Sequence, residues 1–298
     1  MTTRPRLVIV FVVDGLRPDS ISREETPTLF RLRAEGVSFA SSHAVFPTVT
    51  RVNAAALSTG THPGGNGLLG NQLYVPAIAR GRALDSGNYR NLLDLERVSG
   101  GRLLLAPTLA ERLHGLGLRL AGVSSGSTGS AFLLNPRAPA GIGVVVNGYF
   151  DPGKTVAYPA EVSEAILSRF GPAPVKAPGA ARYDASVTWT ERVLREYVLP
   201  DLRPDVVINC HTEPDHSQHH GGVGSPDSRE ALGHDDAEIA SVLASLDAQG
   251  LAGRVAVLVA SDHAFSTNTG GVDVAAALVE AGLKAAPDSH DVVLASSG

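Results

Sequence analysis

Three runs of aliphatic residues in this chain each lead into residues that bind metal ions. Residues 7–13 run into Asp14, residues 206–209 precede a segment with histidines at 211, 216, 219 and 220, and residues 255–260 run into Ser261-Asp262-His263. Continuous runs of Val, Ile and Leu are typical of strands buried on both faces, as in a parallel sheet covered by helices. In such folds ligands bind at the carboxyl edge of the sheet. The sequence therefore predicts acids and histidines gathered at one edge of an α/β sheet.

Segments with helical character alternate with these strands along the chain. Helices are predicted at 18–36, 50–59, 107–113, 160–170, 185–198, 229–249 and 272–281, and further strands at 118–123, 143–146 and 292–294. This alternation predicts a mostly parallel central sheet sandwiched between helices, in one domain spanning residues 1–298. The less regular stretches 73–107 and 147–182 are predicted to be cap or loop insertions beside the site, with plain surface loops as the alternative.

Composition narrows the choice of partners. The 298 residues are 43% hydrophobic and carry a net charge of −5, which leaves no basic surface for a nucleic-acid duplex. Residues 7–13 are too short to span a bilayer, and no small-residue cleavage site follows them, so we expect neither a membrane span nor a signal peptide. A soluble, cytoplasmic protein is the default expectation. An anionic small substrate would then need positive charge from bound cations.

The densest cluster of candidate ligands lies between residues 211 and 220. Four of the ten histidines of the chain fall in this segment, and Asp215 and His219 are four residues apart. On a helix the two side chains would share one face and could hold one ion. A solvated polar loop is the alternative interpretation. Asp14, Asp262 and His263, each at the end of a predicted strand, complete the candidate metal ligands.

Thr50 is the candidate nucleophile, at the start of a predicted helix. A threonine hydroxyl is a poor nucleophile alone, but binding to a divalent metal ion favours its alkoxide. The helix N-terminus would also direct backbone N–H groups toward a phosphate. The alternative, which this segment by itself favours, is an ordinary N-cap threonine. The one cysteine, Cys210, is predicted to be an inert core thiol.

An ordered set of motifs in this chain resembles the alkaline phosphatase superfamily, in its type I phosphodiesterase/nucleotide pyrophosphatase branch. The motifs are Val12-Val13-Asp14-Gly15, Thr26-Pro27-Thr28-Leu29, Phe46-Pro47-Thr48-Val49-Thr50, residues 58–63 with 67–71, Glu213-Pro214-Asp215 with His219, and Ser261-Asp262-His263. Each motif alone is weak, but their order extends over nearly the whole chain.

The resemblance implies two divalent metal ions, with zinc as the first choice and manganese or iron as alternatives. One ion would be held by Asp14, Thr50, Asp262 and His263, and the other by Asp215, His219 and a further histidine. It also implies that Thr50 attacks phosphorus to form a phospho-threonine, and that Asn71 donates a hydrogen bond to a phosphoryl oxygen. The implied substrate is a small phosphorylated molecule such as a nucleotide.

The sequence departs from the family pattern in two respects. The final histidine of the family lies in a Gly-His-Gly-like motif well beyond the 35 residues that follow His263, and His290 has a different setting. We therefore expect the chain to stop short of the full catalytic domain and the second ion to lack one ligand. His216, His220, His290 and water are the alternatives for that position. Arg51 stands where animal members have phenylalanine, which removes an aromatic ring expected to stack on a base.

Three functions follow from these patterns. The first is a metal-dependent hydrolase of phosphate diesters or pyrophosphates that acts through a threonyl-phosphate intermediate. The second is a hydrolase of C–P bonds like phosphonoacetate hydrolase, which uses the same metal and threonine set. The third is a catalytically impaired metal-binding homologue that lacks the final histidine. The sequence predicts neither the oligomeric state nor the leaving group.

Overall fold

The computed structural model describes residues 5–296 and has a six-stranded central sheet. The strands of the chain are β1 (Leu7–Val13), β2 (Gln72–Leu73), β3 (Leu84–Asp85), β4 (Leu120–Ser124), β5 (Val144–Asp151), β6 (Thr155–Tyr158), β7 (Val206–His211) and β8 (Val255–Ala260). The order in the central sheet is β6-β5-β4-β7-β1-β8, while β2 and β3 form a separate hairpin. All neighbours in the central sheet are parallel except β5 and β6. The predicted mostly parallel sheet is therefore confirmed.

Helices cover both faces of this sheet. They are α1 (Pro27–Glu35), α2 (Thr50–Thr59), α3 (Pro63–Asn66), α4 (Tyr89–Val98), α5 (Leu109–His114), α6 (Thr128–Leu134), α7 (Ala160–Phe170), α8 (Asp184–Val193), α9 (Asp215–Gly221), α10 (Pro226–Ala248) and α11 (Val274–Glu280). One hydrophobic cluster joins α1, α7, α8 and α10 to the sheet through Ile9 and Phe11 of β1. A second cluster joins α2, α4, α5 and α6 through Val12. Successive residues of β1 thus supply both cores, because side chains alternate across a strand.

The strand register decides where the predicted ligands lie. Val13 of β1 pairs with His211 of β7, and Val12 pairs with Ala260 of β8. The segments that follow these three strands therefore leave the sheet at one edge, as parallel pairing requires. Asp14 directly follows β1, and Asp262 lies two residues after the end of β8.

Two predicted elements differ in the structure. The helix predicted at 18–36 is a 3₁₀ turn at Pro18–Ser20 followed by α1, because Ile21 is extended, residues 23–25 form a turn, and Pro27 starts a new helix. The strand predicted at 292–294 is absent from the part of the chain that the structure describes. There the carbonyl of Val292 accepts a hydrogen bond from the buried amine of Lys284, 2.8 Å away.

The two stretches predicted to be irregular contain regular structure. Residues 73–107 include β3 and the amphipathic α4, which buries Tyr89 and Leu92. Residues 147–182 include the end of β5, β6 and α7, and Lys154 lies in the turn between the two strands. Their role as a cap stays a prediction, as does the single domain. No helix among the described residues combines the length and apolar character needed to cross a bilayer.

Candidate metal and nucleophile site

Thr50 is the first residue of α2, and its side chain faces the edge of the sheet. The N-cap position belongs to Val49, and no side chain caps this helix, so the interpretation of Thr50 as an N-cap is wrong. Thr50 Oγ1 lies 3.1 Å from His263 Nε2 and 3.5 Å from Asp14 Oδ2. The hydroxyl is therefore grouped with two of the predicted metal ligands.

Asn53 fixes the position of the segment that precedes Thr50, a role that the sequence does not indicate. Asn53 is buried, and its Oδ1 accepts a hydrogen bond from the backbone N–H of Val45 at 2.9 Å. Its Nδ2 donates to the carbonyl of Val49 at 3.1 Å. One side chain thus ties the otherwise exposed segment before α2 to the helix that starts with the nucleophile. A short polar residue one turn into a helix carries no distinctive sequence signal for this role.

The structure brings Asp14, Asp262 and His263 together around one point. His263 Nε2 lies 3.5 Å from Asp14 Oδ1 and 3.6 Å from Asp262 Oδ2. The other ring nitrogen, Nδ1, lies 2.9 Å from the carbonyl oxygen of Ala264. A backbone partner at Nδ1 leaves Nε2 free to bind a metal ion, which is the usual arrangement of ligating histidines. Single ligand atoms of Asp14, Asp215 and His263 also lie within 4.8 Å of one another.

The carboxylates at this point lack partners that a buried anion needs. Asp14 Oδ1, Asp215 Oδ1 and Asp262 Oδ2 are buried and accept no hydrogen bond from the described residues. Burial, reinforced by the charges of Asp262 and Asp215, raises the pKa of Asp14 well above its usual range. Burial also raises the pKa of Asp215. A divalent cation would satisfy all three oxygens and neutralise the repulsion, so the donor set fits a metal ion.

Asp215 and His219 lie on α9, as the helical spacing predicted. His219 Nε2 is 3.6 Å from Asp215 Oδ2, and the His219 side chain is 68% exposed. Its ring packs edge-on against Phe265, with the ring centroids 4.7 Å apart. A high exposed fraction leaves this ring accessible to an ion and to solvent. The pair offers two ligands on one face.

Neither His216, His220 nor His290 makes a hydrogen bond or ion pair with Asp215 or His219 among the described residues. His216 Nε2 is 2.7 Å from the carbonyl oxygen of Ala180, and its ring stacks on Tyr183. His290 lies against Gly81, in the segment between β2 and β3. His220 is exposed at the end of α9. Of the ligands predicted for the second ion, the described residues therefore bring together Asp215 and His219, and their binding of an ion stays a prediction.

Gly15 locks the loop after β1 against the start of α9. The backbone N–H of Asp215 donates to the carbonyl of Asp14 at 3.0 Å, and Gln218 Nε2 donates to the carbonyl of Gly15 at 3.0 Å. Gly15 has a φ of +73°, and a Cβ there would lie 3.0 Å from Asp215 Cα. Only glycine therefore permits both this conformation and this approach.

We expect Gly15→Ala to damage both stability and the site, because it strains the backbone and displaces Asp215. Gly153→Ala is the matched control, since Gly153 has a φ of +75° but open space where a Cβ would lie. Urea unfolding should show a loss of about 1–2 kcal/mol for the control and about 2–4 kcal/mol for Gly15→Ala. Turnover should fall only in Gly15→Ala. Equal losses in the two variants would contradict the close approach.

Asn71, the predicted phosphoryl donor, lies just before β2. Its carbonyl accepts hydrogen bonds from Ser86 N at 2.9 Å and Ser86 Oγ at 2.8 Å, while its buried Oδ1 has no partner among the described residues. The β2–β3 hairpin reaches α2 through Arg51, whose Nη2 lies 3.9 Å from Asp85 Oδ1. No hydrogen bond joins Asn71 to Thr50 in the part of the chain that is described, so its role stays a prediction.

A cavity of about 160 Å³ lies beside Thr50. Asp14, Thr50 and Asp262 form part of its polar wall, and Leu57 and Cys210 lie on its apolar wall. Burial, together with the charges of Asp262 and Asp14, raises the pKa of the Cys210 thiol. This thiol is therefore protonated at neutral pH, in agreement with an inert cysteine.

One of the four clustered histidines belongs to a separate buried group. His211 Nε2 lies 3.2 Å from Glu191 Oε1, and His211 Nδ1 lies 3.3 Å from Asp235 Oδ2. All three side chains are fully buried. Asn209 donates a hydrogen bond to Glu191 at 3.0 Å. The four clustered histidines therefore do not share one environment. His211 belongs to a buried group with Glu191 and Asp235, whereas His219 lies beside Asp215.

Comparison with known proteins identifies the family and supports the fold. A family model described as type I phosphodiesterase / nucleotide pyrophosphatase matches residues 8–297. Phosphonoacetate hydrolase from Sinorhizobium meliloti 1021, solved with phosphonoformate, has a TM-score of 0.67 and 24% identity over 94% of this chain and 63% of that chain.

Two further solved structures share the fold. Murine ectonucleotide pyrophosphatase/phosphodiesterase 5, an inactive variant in complex with AMP, has a TM-score of 0.55 and 17% identity, and the match covers 88% of this chain and 57% of that one. The alkaline phosphatase PafA has a TM-score of 0.63 and 16% identity, and the match covers 89% and 64%. The chain thus spans between 57% and 64% of the length of these proteins.

Proposed function

Because the chain belongs to the type I phosphodiesterase/nucleotide pyrophosphatase family, we propose that it is a metal-dependent hydrolase of phosphate diesters or pyrophosphates. The observation that carries this proposal is the position of Thr50 Oγ1, which lies 3.1 Å from His263 Nε2 and 3.5 Å from Asp14 Oδ2 at the start of a helix. A hydroxyl among unpartnered carboxylates is suited to attack on phosphorus and has no evident structural role there.

In the proposed reaction Thr50 Oγ1 loses its proton to solvent and forms a bond to phosphorus, while the bond from phosphorus to the leaving oxygen breaks and that oxygen takes up a proton from water. Asp14 Oδ2 accepts the hydrogen bond that Thr50 Oγ1 donates and so holds the hydroxyl in place. Water then displaces Thr50 from the phospho-threonine. Two divalent ions, held by the predicted ligands, would lower the pKa of the hydroxyl and offset charge on the phosphoryl oxygens. Zinc is our first choice, since Asp and His ligands suit it.

A C–P hydrolase is the second candidate. It is favoured by the likeness to phosphonoacetate hydrolase, whose TM-score of 0.67 exceeds the 0.55 of the murine pyrophosphatase/phosphodiesterase. Phosphate release from phosphonoacetate, measured beside hydrolysis of bis-p-nitrophenyl phosphate, separates the two activities. Release of phosphate from phosphonoacetate alone would replace the first proposal by the second.

Metal content tests the proposal directly. We expect two divalent ions per chain by elemental analysis, together with hydrolysis of bis-p-nitrophenyl phosphate. A chelator should abolish turnover, and added zinc should restore it. The same chelator, saturated beforehand with zinc, is the control for direct inhibition. One ion or none, without turnover, would instead favour a catalytically impaired metal-binding homologue. In that case Asp215 and His219 would not bind the second ion tightly enough to retain it.

A further inference from the structure

Lys176 is a partly buried cation held between two aromatic rings. Its Nζ lies 4.2 Å from the ring centroid of Tyr149 and 4.2 Å from that of Tyr183. Contacts of this kind attract an ammonium group to the face of each ring and fix its position. They leave its N–H donors available, because a ring face accepts no conventional hydrogen bond. The lysine is therefore positioned in advance rather than mobile.

The aromatic clamp, which consists of Tyr149 and Tyr183 around Lys176, contacts the segment that carries the predicted ligands Asp215 and His219. The ring of Tyr183 stacks on the ring of His216, with centroids 3.7 Å apart. The backbone N–H of Tyr183 donates to Glu213 Oε1 at 2.8 Å. Glu213 and His216 both lie within two residues of Asp215. The clamp thus connects Lys176 to the segment that carries Asp215, near enough for the charges of Glu213 and Asp14 to act on it.

Lys176 has no counter-ion among the described residues. The other two lysines differ, since Lys154 is exposed and Lys284 donates hydrogen bonds and lies 3.7 Å from Asp291. No acceptor or carboxylate lies within bonding distance of Lys176 Nζ in the part of the chain that the structure describes. Burial lowers the pKa of Lys176 to about 8, with the charges of Glu213 and Asp14 acting in the opposite direction. The amine still carries a proton at neutral pH.

A second unsatisfied donor accompanies this cation. The hydroxyl of Tyr149 is buried and has no hydrogen-bond partner among the described residues. Burial, followed by the neighbouring Tyr183, raises the pKa of Tyr149, so its hydroxyl stays protonated and can donate. A buried donor without an acceptor is costly unless a ligand completes it. An ammonium and a hydroxyl that both lack acceptors are suited to one anion.

We propose that Lys176, assisted by the hydroxyl of Tyr149, binds a second anionic group of the substrate, a carboxylate or a phosphate beyond the phosphorus that Thr50 attacks. The inference rests on the proposed function and narrows its substrate class to molecules with two acidic groups. A simple diester with one negative charge uses only the metal and threonine part of the site. Lys176 is then a specificity residue.

Binding of matched ligand pairs tests this inference without turnover. Calorimetric titrations use zinc-loaded Thr50→Ala protein, in which attack by Thr50 cannot consume the ligand. Phosphonoacetate is compared with carbamoylmethylphosphonate, in which a neutral amide replaces the carboxylate. Methylenediphosphonate is compared with methylphosphonate, which separates a phosphate-like from a carboxylate-like second group. In the preferred pair, we expect the ligand with two acidic groups to bind about tenfold more tightly than the ligand with one, as one charge-assisted hydrogen bond allows.

Substitutions then assign the preference. The quantity compared is the ratio of affinities within the preferred ligand pair, measured in Thr50→Ala protein. Lys176→Met should bring this ratio near one, Lys176→Arg should retain part of it, and Tyr149→Phe should reduce it. Lys154→Met is the matched control and should leave the ratio unchanged, because Lys154 is exposed in the β5–β6 turn. The inference is overturned if the affinity ratio is near one before substitution or if Lys176→Met does not alter it. It is also overturned if none of these anions binds.

Failure of this inference is distinguishable from failure of the proposed function. Hydrolysis of bis-p-nitrophenyl phosphate, which has a single negative charge, should be the same in Lys154→Met and in the unmodified protein. If Lys176→Met weakened the binding of both members of a ligand pair equally, Lys176 would have a structural role and the inference would be overturned. Absence of this hydrolysis in the unmodified, zinc-loaded protein counts against the diesterase alone, since the binding ratios do not depend on turnover.

Discussion

Thr50→Ala should abolish hydrolysis while the first metal ion remains bound. The substitution removes the oxygen that lies 3.1 Å from His263 Nε2, but it leaves Asp14, Asp262 and His263 in place as ligands. We expect turnover of bis-p-nitrophenyl phosphate to fall by roughly a thousandfold or more, because the covalent route is lost. Thr50→Ser keeps a hydroxyl at the same position and should recover a substantial part of the activity. Rate and metal content are measured on the same samples.

Thr48→Ala is the control for this substitution. Thr48 is the same residue type two positions earlier, and it is exposed. Its removal should leave turnover unchanged. Acid quenching followed by mass spectrometry should find the phosphoryl adduct on the peptide that contains Thr50, and Thr50→Ala should lack it. Unchanged hydrolysis in Thr50→Ala would exclude the threonyl-phosphate route.

The edge of the sheet was predictable because strand and ligand signals coincide in the sequence. Continuous apolar runs specify buried parallel strands, and parallel pairing brings their carboxyl ends together. The structure brings Asp14, Asp262 and His263 together at this edge, and their role as metal ligands stays a prediction. The helical spacing of Asp215 and His219 was equally readable, since i and i+4 residues share a face.

The contacts that hold this edge together were not predictable, because they join residues distant in sequence. Gly15 matters only because Asp215 approaches within 3.0 Å of where its Cβ would lie. Lys176 matters only because Tyr149 and Tyr183 enclose it. Neither residue belongs to a local pattern of spacing or composition. Residues 147–182 contain a strand that the sequence pattern does not indicate, since β6 is a short antiparallel edge strand that pairs with β5 rather than continuing the parallel pattern.

His211 shows the limit of reading function from composition. It lies in the histidine-rich segment, but its ring faces Glu191 of α8 and Asp235 of α10 instead of the metal site. Two acids from separate helices meet it in the core, where Phe11 also packs edge-on against its ring. Burial by itself lowers the pKa of His211, but the charges of Asp235 and Glu191 outweigh it and raise the pKa to about 10. Burial raises the pKa of Asp235 to about 6, against the opposing effect of His211.

We therefore expect His211→Gln to be the most destabilising single substitution proposed here. It leaves two buried carboxylates without the cation between them, and breaking a buried ion pair costs about 3–5 kcal/mol. His114→Gln is the matched control, since His114 is exposed on α5, and its unfolding free energy should stay within about 0.5 kcal/mol of the unmodified protein. A variant that combines His211→Gln with Glu191→Gln and Asp235→Asn removes all three charges and should regain part of the loss.

The pH dependence of unfolding distinguishes loss of the His211 charge from loss of its packing, because packing does not change with pH. A histidine whose pKa is higher in the folded state adds stability that is complete below the unfolded pKa and disappears as pH rises through the folded pKa. With folded and unfolded values of about 10 and about 6.5, the contribution of His211 should fall by on the order of 3 kcal/mol between pH 7 and pH 10. Urea unfolding across this range should therefore show a steeper decline for the unmodified protein than for His211→Gln, since tyrosines, lysines and Cys210 contribute equally to both. Parallel declines would mean that His211 is neutral in the folded protein, and that the acids on α8 and α10 hold their own protons instead.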